Sequence, residues 1–200
     1  MKRSIIPRST TLTIVLAVSC LCFAAERPID AAHSRLRIHV GKSGLFSAAG
    51  HEHWVSAPIR EGMVQESAPG QVWFRVDAAK LIVEHDEKLS PEDQAQVQQT
   101  MQNKVLESAQ YPEIRFRATS VEGKGDAAWL VKGDLSLHGQ VHSVTTLVHK
   151  QADAYLGNCR IKQTDFGIKP VTVGGGIVKV KDELQIEFSI VVPSTPAGHE

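Results

Sequence analysis

From Ile177 to Val192 apolar and polar residues alternate almost without interruption. Val178, Val180, Leu184, Ile186, Phe188, Ile190 and Val192 recur at every second position, with Lys179, Lys181, Glu183, Gln185, Glu187 and Ser189 between them. A period of two belongs to a strand with one dry face and one wet face. Asp165-Phe166-Gly167-Ile168, a turn signature, stands just before this stretch.

Shorter alternating runs separated by Gly, Pro, Asn and Asp fill much of the remaining chain, the pattern of an antiparallel sheet that closes or packs on itself. About eight strands are expected. The first seven are His33 to Val40, His51 to Ile59, Gln71 to Val76, Ile114 to Thr119, Trp129 to Leu137, Val141 to Lys150 and Ala154 to Gln163, and the long final strand makes the eighth. A tight reversal at Gly139-Gln140 joins the fifth and sixth.

One segment breaks the pattern. Ser90 offers a capping hydroxyl, Pro91 suits the first helical position, and Glu92 and Asp93 place acids in the first turn, which predicts a helix over about 91–107. Val97, Met101 and Val105 recur every four residues and form one apolar stripe, whereas Gln94, Gln98, Gln99 and Lys104 are expected to stay wet. Such a helix would close one mouth of a barrel.

Residues 1–24 read as a secretory signal peptide: Lys2, Arg3 and Arg8 precede an apolar run from Leu12 to Ala24, with Cys22 and Ala24 as small residues before the cut. A lipoprotein cut before Cys20 is the alternative, but Ala17-Val18-Ser19 lacks the usual leucine, and no stable membrane anchor is expected. Cleavage after Ala24 leaves 19 basic against 22 acidic residues, which gives no reason to expect nucleic acid as a partner. It also leaves Cys159 as the single cysteine of an exported, periplasmic chain, so stability must come from core burial rather than an internal disulfide.

Several motifs in order carry a resemblance. Ile29-Asp30 with His33-Ser34, the run Val105-Leu106-Glu107-Ser108-Ala109-Gln110-Tyr111-Pro112 with Ile114-Arg115-Phe116, Gly133-Asp134-Leu135-Ser136-Leu137-His138-Gly139 with Val144, and Asp165-Phe166-Gly167-Ile168 together resemble the YceI family. The resemblance implies an all-β fold over residues 25–195: an eight-stranded antiparallel lipocalin-like barrel with one inserted α-helix. It also implies a long-chain isoprenoid or acyl lipid as ligand, and association as a homodimer in some members. An eight-stranded barrel is just wide enough to be filled by side chains or to hold one slender ligand. The inward faces expected to line such a cavity include Leu36, Ile38, Trp73, Phe116, Trp129, Leu135, Leu147, Ile186, Phe188 and Ile190. Sequence alone does not separate lining from packed core.

The chain departs from the family pattern at Gly50-His51-Glu52-His53. On a strand, alternation puts His51 and His53 on one face with backbones roughly 7 Å apart and Glu52 opposite. A divalent metal, in a metal-binding protein or metal-dependent enzyme centred on this segment, is therefore the competing reading, although such a site needs at least a third protein ligand. The simpler account is a strand-end pair bonded to backbone or headgroup. Ser34 and His33 cannot form a nucleophile and base, because strand neighbours point to opposite faces. Gly174-Gly175-Gly176 precedes a strand rather than a helix and reads as a hairpin tip, not a phosphate loop.

Overall fold

The computed structural model describes residues 26–43, 52–67, 70–173 and 178–194. The proposed signal segment, His51 and the Gly174-Gly175-Gly176 tip lie outside these residues.

The alternation in the sequence becomes one antiparallel sheet that curls on itself. Its strands in chain order are β1 (Arg27–Pro28), β2 (Arg35–Ser43), β3 (His53–Ser56), β4 (Ile59–Gln65), β5 (Gln71–Asp77), β6 (Ile82–Val83), β7 (Glu113–Gly123), β8 (Ala128–Leu137), β9 (Gln140–Gln151), β10 (Ala154–Lys162), β11 (Thr172–Val173) and β12 (Val178–Val191). The pairing order is β1-β4-β5-β7-β8-β9-β10-β12-β2-β3-β6, with β11 on β12. Three of these, β1, β6 and β11, are two-residue additions. β3 and β4 are one run bent at Ala57-Pro58 and count together as one of eight wall strands, but the expected second strand ends at Ile59 and so misses β4, which carries the run on to Gln65.

The bend closes the curl. Pro58 has no N–H to give to a ladder, so the run can change partner there: β3 pairs with β2, and β4 pairs with β5. The two ends of the sheet are thus joined through the chain itself. At one end, Ile29 N–H donates to Gly62 O at 2.9 Å and Asp30 N–H to Val191 O at 2.8 Å, which carries the entering chain from β4 across to β12.

The turn signature has a structural purpose. Gln163–Phe166 forms a 3₁₀ turn that ends on Gly167 at φ 72°, a left-handed conformation suited to glycine. Gln163, 3% exposed, donates to Lys181 O at 2.8 Å, while Thr164 donates from N–H and hydroxyl to the Asp182 carboxylate at 2.9 and 2.7 Å. These bonds pin a bulge in β12, where the register against β2 slips between Val180 and Leu184. Strict alternation would put Asp182 on the dry face; the bulge delivers it to Thr164 instead, whose hydrogen bonds hold the Asp182 carboxyl below the usual range.

The hairpin between β8 and β9 turns at His138-Gly139, with φ 51° and 74°, one residue earlier than the Gly139-Gln140 reversal expected; Gln140 already belongs to β9. On the outer face, ion pairs run across strands. Arg37 binds Glu84 and lies 4.3 Å over the Trp54 ring, and Arg60 reaches Asp77 at 2.8 Å and Glu113 at 2.9 Å. Bonding to Arg37 lowers the pKa of Glu84, as bonding to Arg115 does for Glu113.

Candidate functional site: an apolar cavity inside the barrel

The inward residues of the strands enclose a cavity of about 750 Å³. Leu36, Ile38 and Val40 of β2 face it beside Leu184, Ile186, Phe188 and Ile190 of β12, with Ile38 paired to Ile186 and Leu36 to Phe188. Phe116, Val131, Leu135 and Val148 continue the wall. At Gly157 of β10 the wall admits no side chain, because a Cβ there would stand 2.5 Å from the Phe188 ring and 2.8 Å from Leu147 O. The ring of Phe188 lies over the glycine and fills the place a side chain would take.

Of the ten residues expected to line a cavity, Leu36, Ile38, Phe116, Trp129, Leu135, Ile186, Phe188 and Ile190 do so. Trp73 and Leu147 do not. On β5 the inward residues are Val72, Phe74 and Val76, and Trp73 lies on the outer face with the Arg75 guanidinium 5.5 Å from its ring centroid. β9 carries apolar residues on both parities, and its inward set is Val144, Thr146 and Val148, which leaves Leu147 46% exposed. A slip of one residue moves a whole strand face from core to solvent. Thr146 is tolerated in the wall because its hydroxyl donates to Asn158 O at 2.7 Å. Cys159 also faces the cavity, and burial pushes its thiol up to about 11, so it is a neutral, apolar part of the wall rather than a nucleophile.

The expected helix covers one mouth, in two parts. α1 (Pro91–Thr100) starts as anticipated, with Ser90 Oγ accepting from Asp93 N–H at 3.1 Å. It then widens into a π-helical turn, Met101–Val105, closed by Leu106 N–H to Met101 O at 2.9 Å. Val97, Met101, Val105 and Leu106 face the cavity. A stripe repeating every fourth residue drifts around a helix of about 3.6 residues per turn, and one wider turn offsets that drift.

Gln94 and Gln98 are not wet, as expected from their polarity, but dock the helix. Gln94 donates to Val83 O and Glu84 O, both at 3.1 Å. Gln98 accepts from Val83 N–H at 2.8 Å and donates to Leu81 O at 2.9 Å, and Gln102 donates to Ala78 O and Leu81 O. Three glutamines spaced four apart thereby satisfy the free backbone edge at β6, a spacing visible in the sequence. Gln98→Ala is expected to cost about 1–3 kcal/mol, because it leaves the N–H of the buried Val83 without its partner. Hydrogen exchange checks it: the Val83 amide should lose protection while amides of β8 keep theirs, and unchanged exchange at Val83 would refute the docking role.

The two ends of the cavity are polar. Lys42, His53 and Lys179 line it near α1 together with Asp93, Gln96 and Thr100; Gln65, Glu66, Trp129 and Tyr155 line it at the far end. His53 is inward with Val55, while Glu52 pairs with His39 at 3.2 Å on the outer side, as alternation requires. Its expected companion His51 lies outside the described residues. Among the described residues no three His, Cys, Asp or Glu side chains converge on a metal site, and no helix is long and apolar enough to cross a membrane.

The family model for the YceI-like domain matches residues 28–192, the whole of the barrel. The chain belongs to the YceI family. Among solved structures, Burkholderia cenocepacia BcnA superposes with a TM-score of 0.61 at 18% identity, over 82% of this chain and 99% of that one. A polyisoprenoid binding domain from Saccharophagus degradans, implicated in plant cell wall breakdown, superposes with a TM-score of 0.57 at 15% identity, over 86% and 100%. At these identities the likeness is one of fold. In sequence, this YceI chain is 32% identical over 92 residues to a UPF0312 protein of Shewanella denitrificans, a match covering 41% of this chain and 48% of the relative. A UPF0312 protein of Vibrio cholerae is 30% identical over 92 residues, 41% and 47% respectively. The chain thus spans about half the length of these curated relatives.

Proposed function

We propose that this protein binds and carries a long-chain apolar lipid, a polyisoprenoid being the type that suits it best, in the periplasm and without chemical turnover. The observation that carries the reading is the cavity: about 750 Å³ inside the barrel, walled by Leu, Ile, Val and Phe side chains, a size within the roughly 300–1,000 Å³ of small-molecule pockets. A tail needs no polar constellation to be held there. Each methylene withdrawn from water contributes about 0.8 kcal/mol, so a dozen contribute roughly 10 kcal/mol before the costs of ordering and association. Membership of the YceI family and the fold shared with a polyisoprenoid binding domain support the same ligand class. The basic and apolar leader through Ala24 supports export. Binding rather than catalysis is favoured by the wall itself, whose one thiol is neutral.

Native mass spectrometry of the mature protein, exported to a bacterial periplasm and purified without detergent or chelator, tests this. A releasable adduct of several hundred daltons that partitions into organic solvent is expected. A bare chain that also fails to take up added prenyl or acyl lipid would overturn the proposal.

A further inference from the structure

We infer that a crossbar centred on Glu66 is the floor of the cavity and sets the longest tail the protein accepts; this rests on the lipid reading above. Glu66 directly follows β4, and its carboxylate takes the Tyr155 hydroxyl from β10, the Arg27 guanidinium from β1 and the Lys150 ammonium from β9, the last at 2.8 Å. In the circular order of the eight wall strands β4 and β9 stand opposite each other, and β10 is next to β9. Bonds between them therefore run across the end of the barrel, not along its wall. Arg27 also donates to Pro193 O at 3.3 Å, which ties the chain beyond β12 into the same bar.

The bar bounds the cavity and does not merely decorate the surface. Gln65, Glu66, Trp129 and Tyr155 all line it, with the Trp129 and Tyr155 rings 5.9 Å apart and the Lys150 ammonium 5.2 Å from the Tyr155 ring centroid. In this reading the tail enters at the other polar end, beside the helix that covers it, where Lys179 and the helix residues Asp93 and Thr100 line the cavity. β12 runs from Val180 near that entrance to Ile190, the partner of Tyr155. Ten residues rising roughly 3.3 Å each, tilted by about 40° and shortened by the bulge, give an axis of roughly 20–25 Å.

A tail shorter than this axis ends against the aromatic pair. A longer one meets the Glu66 carboxyl group, already bonded to Arg27, Lys150 and the Tyr155 hydroxyl. To pass, methylenes would have to displace donors they cannot replace, and beyond the partly exposed Glu66 side chain they would meet solvent, where no burial is gained. The longer tail must fold back or leave its far units in water, so affinity stops rising at a fixed length.

The test uses the full mature protein and a fluorescent dansyl fatty acid as probe, displaced by a graded series of linear prenyl alcohols from geraniol upward. For the unaltered protein, affinity should climb with each isoprene unit and then break. Glu66→Ala should move the break upward by about one to two units and strengthen the first excluded length about tenfold, the gain from burying roughly two methylenes. Lys150→Met, which weakens the bar without removing Glu66, should move it in the same direction and serves if Glu66→Ala folds poorly. Val121→Phe, which adds bulk to the wall beside the floor and leaves the bar intact, should move it downward. A break at the same length in the unaltered protein and all three variants would overturn the floor while leaving the lipid reading standing. Failure of every prenyl alcohol to displace the probe would overturn both.

Discussion

Phe166→Ala should lower the stability of the folded protein by about 3–5 kcal/mol, the range for deleting a fully enclosed aromatic side chain. Phe166 is 1% exposed, the His142 ring meets it edge-on at 5.1 Å, and its carbonyl lies 3.2 Å from His138 Nδ1. It is the hub of the 3₁₀ turn whose neighbours Gln163 and Thr164 pin the β12 bulge. The loss therefore combines a cavity with loosening of the longest strand. Set against total stabilities of about 5–15 kcal/mol, this is a large fraction. For a domain of this size it corresponds to a fall in Tm of roughly 10–15 °C. Calorimetry on Phe166→Ala beside Leu147→Ala checks it, since Leu147 is 46% exposed on the outer face and its truncation should cost under about 1 kcal/mol. Equal melting points for the two variants would show that the turn is not a structural hub. Because Phe166 does not line the cavity, the surviving folded fraction should bind tails as the unaltered protein does.

The same two residues show what the sequence could and could not convey. The Asp165-Phe166-Gly167 turn was legible because left-handed glycine after a short polar run has a local cause. The strand of Leu147 was legible too, but not its face: Val141-His142-Ser143-Val144-Thr145-Thr146-Leu147-Val148 alternates weakly, with apolar residues at both odd and even positions. Trp73 was misplaced for a related reason, since Val72, Trp73 and Phe74 are all apolar and only register against β4 and β7 decides which turn inward. Polarity misled at Gln94 and Gln98, where an amide's worth lies in the backbone edge it meets, and that edge exists only after β6 has paired with β3. The Glu66 bar was beyond sequence reach altogether, because Glu66 and its three partners, Arg27, Lys150 and Tyr155, come together only when the sheet closes.

Ile186→Trp should cut tail affinity by roughly 100-fold and leave the fold intact. Ile186 sits halfway along β12, paired with Ile38 on one side and Cys159 on the other, and all three face the cavity. The larger side chain therefore enters open space. An indole there occupies room for on the order of four methylenes, which at about 0.8 kcal/mol each removes about 3 kcal/mol of binding, or roughly two powers of ten. Inside a packed core the same exchange would overfill and destabilise by about 1–3 kcal/mol, so Tm measured with binding separates the two situations. Preserved melting with lost displacement of the dansyl probe places the ligand in the mid-barrel space. Preserved melting with unaltered probe affinity would mean that tails bind elsewhere, and a clearly lowered Tm would mean that the space beside Ile186 is too small for a tail. Placed midway between the entrance and the Glu66 bar, the block should also act on prenyl alcohols of every length. Glu66→Ala should act only on those that reach the floor, so the two variants read different parts of one cavity.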